Sequence, residues 1–365
     1  MRWDIFCKVV DNFGDVGVCW RLARQLAAEH AADVCLWLDD PLPLAQLAPD
    51  SAAFPVKVRP WRNPLPFDAV ADVVIEAFGC ELPENYLQAM ARRAPPPCWL
   101  NLEYLSAEDW VESCHGLASP HPRLPLVKHF FFPGFTEKTG GLLRESHLPT
   151  RQAVRRKRDA LLAESPDSLL VSLFCYDDAP LTALFAAWAV EAKPLLCLIF
   201  PGKPLAAARA ALGATQDTQG ANGWRLDAAG RVRLIPVPFA AQDAYDELLA
   251  ACDLNFVRGE DSFARAQWAA RPFVWQPYPQ EDDTHLRKLA AFLRRYAADL
   301  PVRAQTALAA FWRDWNGAGK ALTCLWPEFR RQLKPLARHG KNWRARLLAQ
   351  DDLASALVKF CTARV

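Results

Sequence analysis

The apolar residues of this chain fall into short runs, separated by segments in which they recur at helical spacing. The first run, Ile5 to Val10, predicts a buried strand. Cys19, Leu22 and Leu26 then recur at i, i+3 and i+7, which predicts one face of a helix. "VCLWL", Val34 to Leu38, predicts a second strand. Strand, helix and strand in that order make a βαβ unit, and such units build parallel sheets. Further strands with their following loops are predicted at Val56 to Trp61, Ala71 to Gly79 and Cys98 to Leu105, the last preceded by a proline run at Pro95, Pro96 and Pro97.

At Arg151 to Glu164 the pattern changes to a basic helix, "RQAVRRKRDALLAE", followed by the break "SPD". A domain boundary placed there gives domains 1–164 and 165–344. Arg155, Arg156, Lys157 and Arg158 read as a solvated helix face. A second strand series follows at Ser168 to Tyr176, Leu195 to Phe200, Arg231 to Val237, Leu254 to Val257 and Pro272 to Trp275. Tyr245, Leu248, Leu249 and Cys252 mark a helix face within it, and 213–230 reads as a long polar loop. Helical spacing then dominates to the end. Two Rossmann-like halves in series predict a cleft enzyme, with ligands beyond the carboxyl ends of the strands.

Composition narrows the class. A chain of 365 residues suits two domains, and 52% hydrophobic residues with 14 Trp and 20 Phe supply large cores. Lys and Arg (43) nearly balance Asp and Glu (41), which argues against a general nucleic-acid or membrane electrostatic role. No run of about 18 apolar residues spans a membrane, and "MRWDIFCKVV" reads as a strand instead of a signal peptide. The eleven cysteines never fall at Cys-x-x-Cys spacing, and no His-x-x-x-His pair occurs, so reduced core thiols in a cytoplasmic protein are expected, with no metal site. The basic segment Lys334 to Arg346 reads as a solvated helix.

Two loops carry candidate chemistry. "DNFGDVG" follows the first strand and opens a helix, whose N-terminus favours anions. It is neither Gly-x-Gly-x-x-Gly nor a Walker loop, and Asp11 and Asp15 would repel a phosphate. A cationic or proton-losing acceptor suits them better, with helix capping as the plainer role. The second loop, Arg258, Gly259, Glu260, Asp261 and Ser262, follows a buried strand. Arg258 offers a fork of donors to a diphosphate, and Ser262 with nearby amides suits the remaining oxygens. Glu260 and Asp261 fit a sugar hydroxyl, an ion pair or a cap. Phe174, Tyr176, Phe239 and Gln242 offer an apolar slot with a polar edge for a base. The aromatic stretches Asn101 to Pro122 and Phe130 to Gly141 read as packed loops or a docking surface.

Together, "VVDNFGDVGVCWRLARQLA", "WLNLEYLSAEDWVESCHGLASP", "FFFPGFTEKTGGLLRE" and "CDLNFVRGEDSFARAQWAARPFVWQPYPQEDDTHLRKL" resemble the signature blocks of the EarP family. These are bacterial protein-arginine rhamnosyltransferases that modify translation elongation factor P. The blocks run from residue 9 to about 290, with Ala270 and Pro277 as small departures beside the Arg-Gly-Glu-Asp-Ser motif. The resemblance implies an α/β glycosyltransferase-B fold, two facing Rossmann-like domains with an interdomain cleft, and a last helix from about 345 that packs back on the first domain. It implies dTDP-β-L-rhamnose as donor on the second domain, an arginine of elongation factor P as acceptor on the first, inversion, and neither metal nor cofactor. Asp15 takes the base role, Asp11 holds the acceptor guanidinium or fixes the loop, and Glu260 joins the acids. Asn12, Phe13, Gly14 and Gly17 complete the substrate loop; Arg258 and Ser262 hold the diphosphate; Asp261 binds ribose or caps.

Three other readings stand beside this one. A glycosyltransferase using another nucleotide sugar, or a glycan or lipid acceptor, fits the same loops. A non-catalytic, nucleotide-sugar-binding partner of the translation machinery would need Asp11 and Asp15 only as caps. A nicotinamide oxidoreductase lacks its glycine fingerprint.

Overall fold

A computed structural model describes residues 1–10, 13–213, 223–317 and 319–364, apart from the side chain at 281. Asp11 and Asn12, and residues 214–222 of the expected polar loop at 213–230, lie outside the described residues, while Trp224 and Arg225 of that stretch form a short strand. The chain divides into two compact units, Met1–His147 with Arg346–Val365, and Leu148–Ala345.

The first unit runs β1 (Arg2–Cys7), α1 (Gly14–His30), β2 (Asp33–Leu38), α2 (Leu42–Leu47), β3 (Val56–Pro60), β4 (Val73–Ala77), α3 (Glu84–Arg92), β5 (Cys98–Leu102), α4 (Val111–Cys114), β6 (Ala118–Pro120) and β7 (Val127–Phe131). Its sheet has the order β3-β2-β1-β4-β5-β7-β6, and every pair is parallel except β6 with β7. Strand β1 shows why Ile5, Phe6 and Cys7 are apolar without alternation. Trp3, Ile5 and Cys7 enter one core with α1, while Phe6 enters another with Trp37, Tyr86 and Trp99. A strand buried on both faces has no polar side to alternate. Chain pairing ends at Cys7, so Lys8, Val9 and Val10, expected in the strand, belong to the loop.

The second unit runs α5 (Arg151–Leu161), β8 (Leu169–Leu173), α6 (Leu181–Ala189), β9 (Leu195–Ile199), α7 (Lys203–Leu212), β10 (Trp224–Arg225), β11 (Val232–Pro236), α8 (Gln242–Ala251), β12 (Leu254–Arg258), α9 (Asp261–Ala269) and β13 (Phe273–Gln276). Helices α10 (Thr284–Ala297), α11 (Val302–Trp315), α12 (Leu322–Arg331) and α13 (Leu333–Leu348) follow, and α14 (Leu353–Thr362) closes the chain. The sheet order is β10-β11-β9-β8-β12-β13, parallel but for β10. Helix α5 lies with this unit, so the expected boundary at 164 falls instead between 147 and 148. Arg158 holds α5 there, donating to the Ala251 carbonyl (2.7 Å) and to Asp253 (2.9 Å).

Helix α14 completes the first unit's core with Leu353, Ala354, Leu357 and Cys361. Polar contacts fix its entry: Gln25 donates to Asp352 (2.9 Å), whose carboxylate accepts from the Ser355 amide as the α14 N-cap. Among the described residues no helix is long and apolar enough to cross a membrane. The cysteines are unbridged; most are buried, whereas Cys324 is exposed and Cys114 partly so.

Candidate active site

Each sheet has one place where the chain turns from building outward on one side to building on the other. In the first unit this point lies between β1 and β4; in the second it lies between β8 and β12. Loops leaving adjacent strands there part in opposite directions and open a crevice, the usual ligand position in such sheets.

In the first unit, the loop after β1 leads into α1, with Asp15 in the helix's first turn. The carboxylate lies beside the positive end of the helix dipole. Asp15 is only 3% exposed. Its Oδ2 accepts from the Val10 amide at 2.9 Å, which ties Val10 to the helix start. Its Oδ1 faces the Tyr104 hydroxyl at 3.4 Å. Tyr104 stacks on Phe78, with centroids 4.4 Å apart and planes at 14°. Phe78 sits just past β4 with φ 59°, a conformation bulky side chains rarely adopt. Gly79 beside it donates to Asn101 (3.1 Å), which donates in turn to Glu103 (2.5 Å). Gly14 and Gly17 are not loop residues; both lie in the first turns of α1, where the Gly17 amide donates to the Phe13 carbonyl at 2.9 Å. Phe13 packs its side chain on the core as the helix N-cap residue.

In the second unit, Arg258 ends β12, with its guanidinium carbon 4.5 Å from the Phe174 ring centroid and 4.5 Å from that of Tyr176. Both rings come from the segment after β8. The Arg258 Nη1 is buried and has no hydrogen-bond partner among the described residues. Ser262 is committed to the strand end: its hydroxyl accepts from the Arg258 amide (3.0 Å) and donates to the Arg258 carbonyl. It braces Arg258 as well as standing at the mouth of α9. Glu260 is the N-cap residue of α9 and Asp261 its first residue, both half-buried. Gly259 has φ 59°, donates to the Gln276 carbonyl (2.9 Å) and accepts from the Trp275 indole (2.8 Å).

The four residues expected to seat a base separate into two kinds. Phe174 packs edge-on against Phe200 and Tyr245, and Tyr176 is buried beneath Arg258. Phe239 projects from the loop before α8 at 42% exposure, whereas Gln242 is buried at the first turn of that helix. Burial pushes the Cys175 thiol up to about 12, so this cysteine between the two aromatic residues stays neutral and is no nucleophile. Burial likewise raises the Tyr245 hydroxyl, which stays protonated. Among the described residues no group of three or more His, Cys, Asp or Glu is placed to hold a metal ion.

Sequence patterns did not point to Phe78, Tyr104, Lys203 or Gln276. Lys203 opens α7 after Gly202 and places its ammonium 5.5 Å from the Tyr176 ring and 3.6 Å from Asp177. Its position directly after a buried strand and a glycine was the available signal.

The family model for elongation-factor P (EF-P) rhamnosyltransferase EarP matches residues 3–362. A protein-arginine rhamnosyltransferase of Pseudomonas aeruginosa is 46% identical over 98% of both chains. One of Pseudomonas putida is 46% identical over the same shares. A solved structure concerned with EarP-mediated arginine glycosylation of translation elongation factor EF-P superposes at TM-score 0.67, with 34% identity, over 100% of this chain and 99% of that one. The two α/β units are those of a glycosyltransferase-B fold. The chain belongs to the EarP family of protein-arginine rhamnosyltransferases.

Proposed function

We propose that this enzyme transfers L-rhamnose from dTDP-β-L-rhamnose to one arginine of translation elongation factor P, with inversion at the anomeric carbon and without a metal. The observation that carries the donor half is Arg258, a half-buried guanidinium set against two rings at a switch point, with Nη1 unpartnered among the described residues. A planar cation in that setting suits the oxygens of a nucleoside diphosphate. The acceptor half rests on Asp15, a buried carboxylate at the equivalent point of the other unit. A translation factor as acceptor places the reaction in the cytoplasm.

The chemistry explains why acids are needed. An arginine guanidinium has a pKa above about 12 and stays protonated in water. As its nitrogen forms a bond to the rhamnose C1, the bond from C1 to the diphosphate oxygen breaks. The electron pair leaves with dTDP, and the nitrogen's proton passes to Asp15. Arg258 and the α9 N-terminus stabilise the charge that develops on the leaving oxygens. Phe174, Tyr176, Phe239 and Gln242 are assigned to thymine, and Asp261 to the ribose or to its own helix. Glu260 is the further acid assigned to the acceptor guanidinium, together with Asp11 in the substrate loop that also holds Asn12.

Asp15→Asn is expected to abolish transfer while dTDP affinity, measured by calorimetry, stays within several-fold of wild type. The transfer assay is intact mass of purified elongation factor P, which should gain one deoxyhexose. Near wild-type transfer by Asp15→Asn removes Asp15 as base. Transfer to a glycan or lipid, with elongation factor P unmodified, overturns the acceptor.

A further inference from the structure

We infer that Gln276 is a positioning residue for the nucleoside-diphosphate site, coupling the loop after β8 to the loop after β12. The inference rests on the donor reading of Arg258 given above. Gln276 ends β13 and is 5% exposed. Its side-chain Oε1 accepts from the Tyr176 amide at 2.9 Å. Its Nε2 donates to Asp178 Oδ1 at 2.9 Å. Its main-chain carbonyl accepts from the Gly259 amide at 2.9 Å. One residue therefore holds both sides of the Arg258 contact: the backbone that carries the Tyr176 ring, and the backbone that follows Arg258.

The pattern of donors fixes the amide's orientation, since an N–H can meet only the oxygen and a carboxylate only the NH2. No other uncharged side chain of this length meets both demands at once. A diphosphate needs the guanidinium and the neighbouring amides at set distances before it arrives, because a misplacement of about 1 Å weakens or misaligns such contacts. Gln276 touches neither reacting atom in this scheme. It acts through Tyr176 and Gly259.

The test uses the full-length enzyme and thymidine diphosphate. Gln276→Leu takes the side-chain acceptor away from the Tyr176 amide, and Gln276→Glu sets a second carboxylate against Asp178. Each is expected to weaken dTDP binding by roughly tenfold, given the cost of an unmet buried polar group. The donor KM should rise by a similar factor while the acceptor KM is unchanged. Asp178→Asn alone, which still accepts from Gln276, should stay within about twofold of wild type. Combined with Gln276→Glu, Asp178→Asn presents an amide donor to the new carboxylate and should restore binding. A Gln276→Leu or Gln276→Glu variant with wild-type affinity overturns the inference, as does a double variant that fails to recover, or a rise in both KM values together. Hydrogen exchange without nucleotide separates this from the donor reading. The Tyr176 amide, which loses its side-chain acceptor, should exchange at least about tenfold faster in Gln276→Leu, whereas the Gly259 amide keeps the main-chain carbonyl of residue 276 and serves as the internal reference. Unchanged exchange at Tyr176 overturns the inference; a wild-type enzyme that shows the tie but binds no dTDP overturns the donor reading instead.

Discussion

Two of the groups that hold Asp15 come from different distances along the chain. The Val10 amide is five residues away and is set by the helix start, whereas Tyr104 lies 89 residues on. Tyr104 is 36% exposed, stacked on a strained Phe78, and ends its hydroxyl at the carboxylate. Tyr104→Phe should retain the stack and lose only that hydroxyl, lowering kcat by roughly fivefold, an effect of about 1 kcal/mol, with donor affinity intact. Steady-state kinetics with varied donor and varied acceptor would check both halves, and an equal loss of donor affinity would contradict it. Gly259 is the corresponding point in the second unit. Its φ of 59° costs an L side chain about 1–2 kcal/mol. Gly259→Ala is expected to weaken dTDP binding by several-fold, because any relief of the strain moves Arg258; calorimetry reads this directly. The residue types at these loops were visible in the sequence, but the aromatic pair beside Asp15 was not. Phe78 and Tyr104 sat in segments read as a strand end and a packed or docking loop.

At the scale of elements, α1 both presents Asp15 and anchors the unit. Arg21 and Arg24 from α1 reach Glu145 at 3.0 Å each, and all three are buried. Removing the shared carboxylate would leave two buried cations without it. Glu145→Ala is therefore expected to destabilise the first unit by about 3–5 kcal/mol, measurable by urea unfolding. A pH effect belongs to the segment that brings β6 and β7 onto the sheet edge. His115 is held neutral there: burial pushes its pKa down, and its Nδ1 accepts from the Phe132 amide at 3.1 Å. Burial also lowers His129 on β7. An unfolded histidine takes a proton near about 6.5 and these folded ones do so only at lower pH. Their contribution is thus complete above the unfolded value and is lost as pH falls below it toward the folded value. The melting temperature should fall on acidification below about 6.5, and His115→Gln should flatten that slope. The hairpin itself escaped prediction. Its aromatic residues alternate poorly, since His129 and Phe131 pack against Phe360 of α14 and not against a local partner.

For the whole molecule, the chain's ends depend on one another. Leu353, Leu357 and Cys361 of α14 fill the same core as Trp3, Ile5 and Cys7 of β1. The Leu353 amide donates to the Leu142 carbonyl at 3.0 Å, and Gly141, with φ 69°, leaves no room for a side chain beside the Asp351 carbonyl. Ending the chain after Ala345 should therefore unfold the first unit and spare the second, which retains its own core. Two transitions in calorimetry should become one, transfer should vanish, and dTDP binding should persist. Leu357→Ala is the milder form, expected to cost the first unit about 2–5 kcal/mol.

Sequence alone placed strands β1 to β5, β8, β9 and β11 to β13 in their order along the chain and missed β6, β7 and β10, because burial on two faces makes strands continuously apolar and one-sided burial makes helices recur every three to four residues, whereas these short strands at or beside a sheet edge carry neither pattern. It also located the two loops that carry Asp15 and Arg258, since each follows such a run and opens a helix. The tertiary structure decided strand order, the side on which α5 packs, and which side chains meet. Periodicity is a local property, whereas Gln276 finds Tyr176 100 residues away through the register of parallel strands. A single hydrogen bond between distant residues leaves no pattern in either segment. The candidate chemistry was therefore legible as two separate loops, and the side chains that hold each loop in working order became visible only once the sheets were assembled.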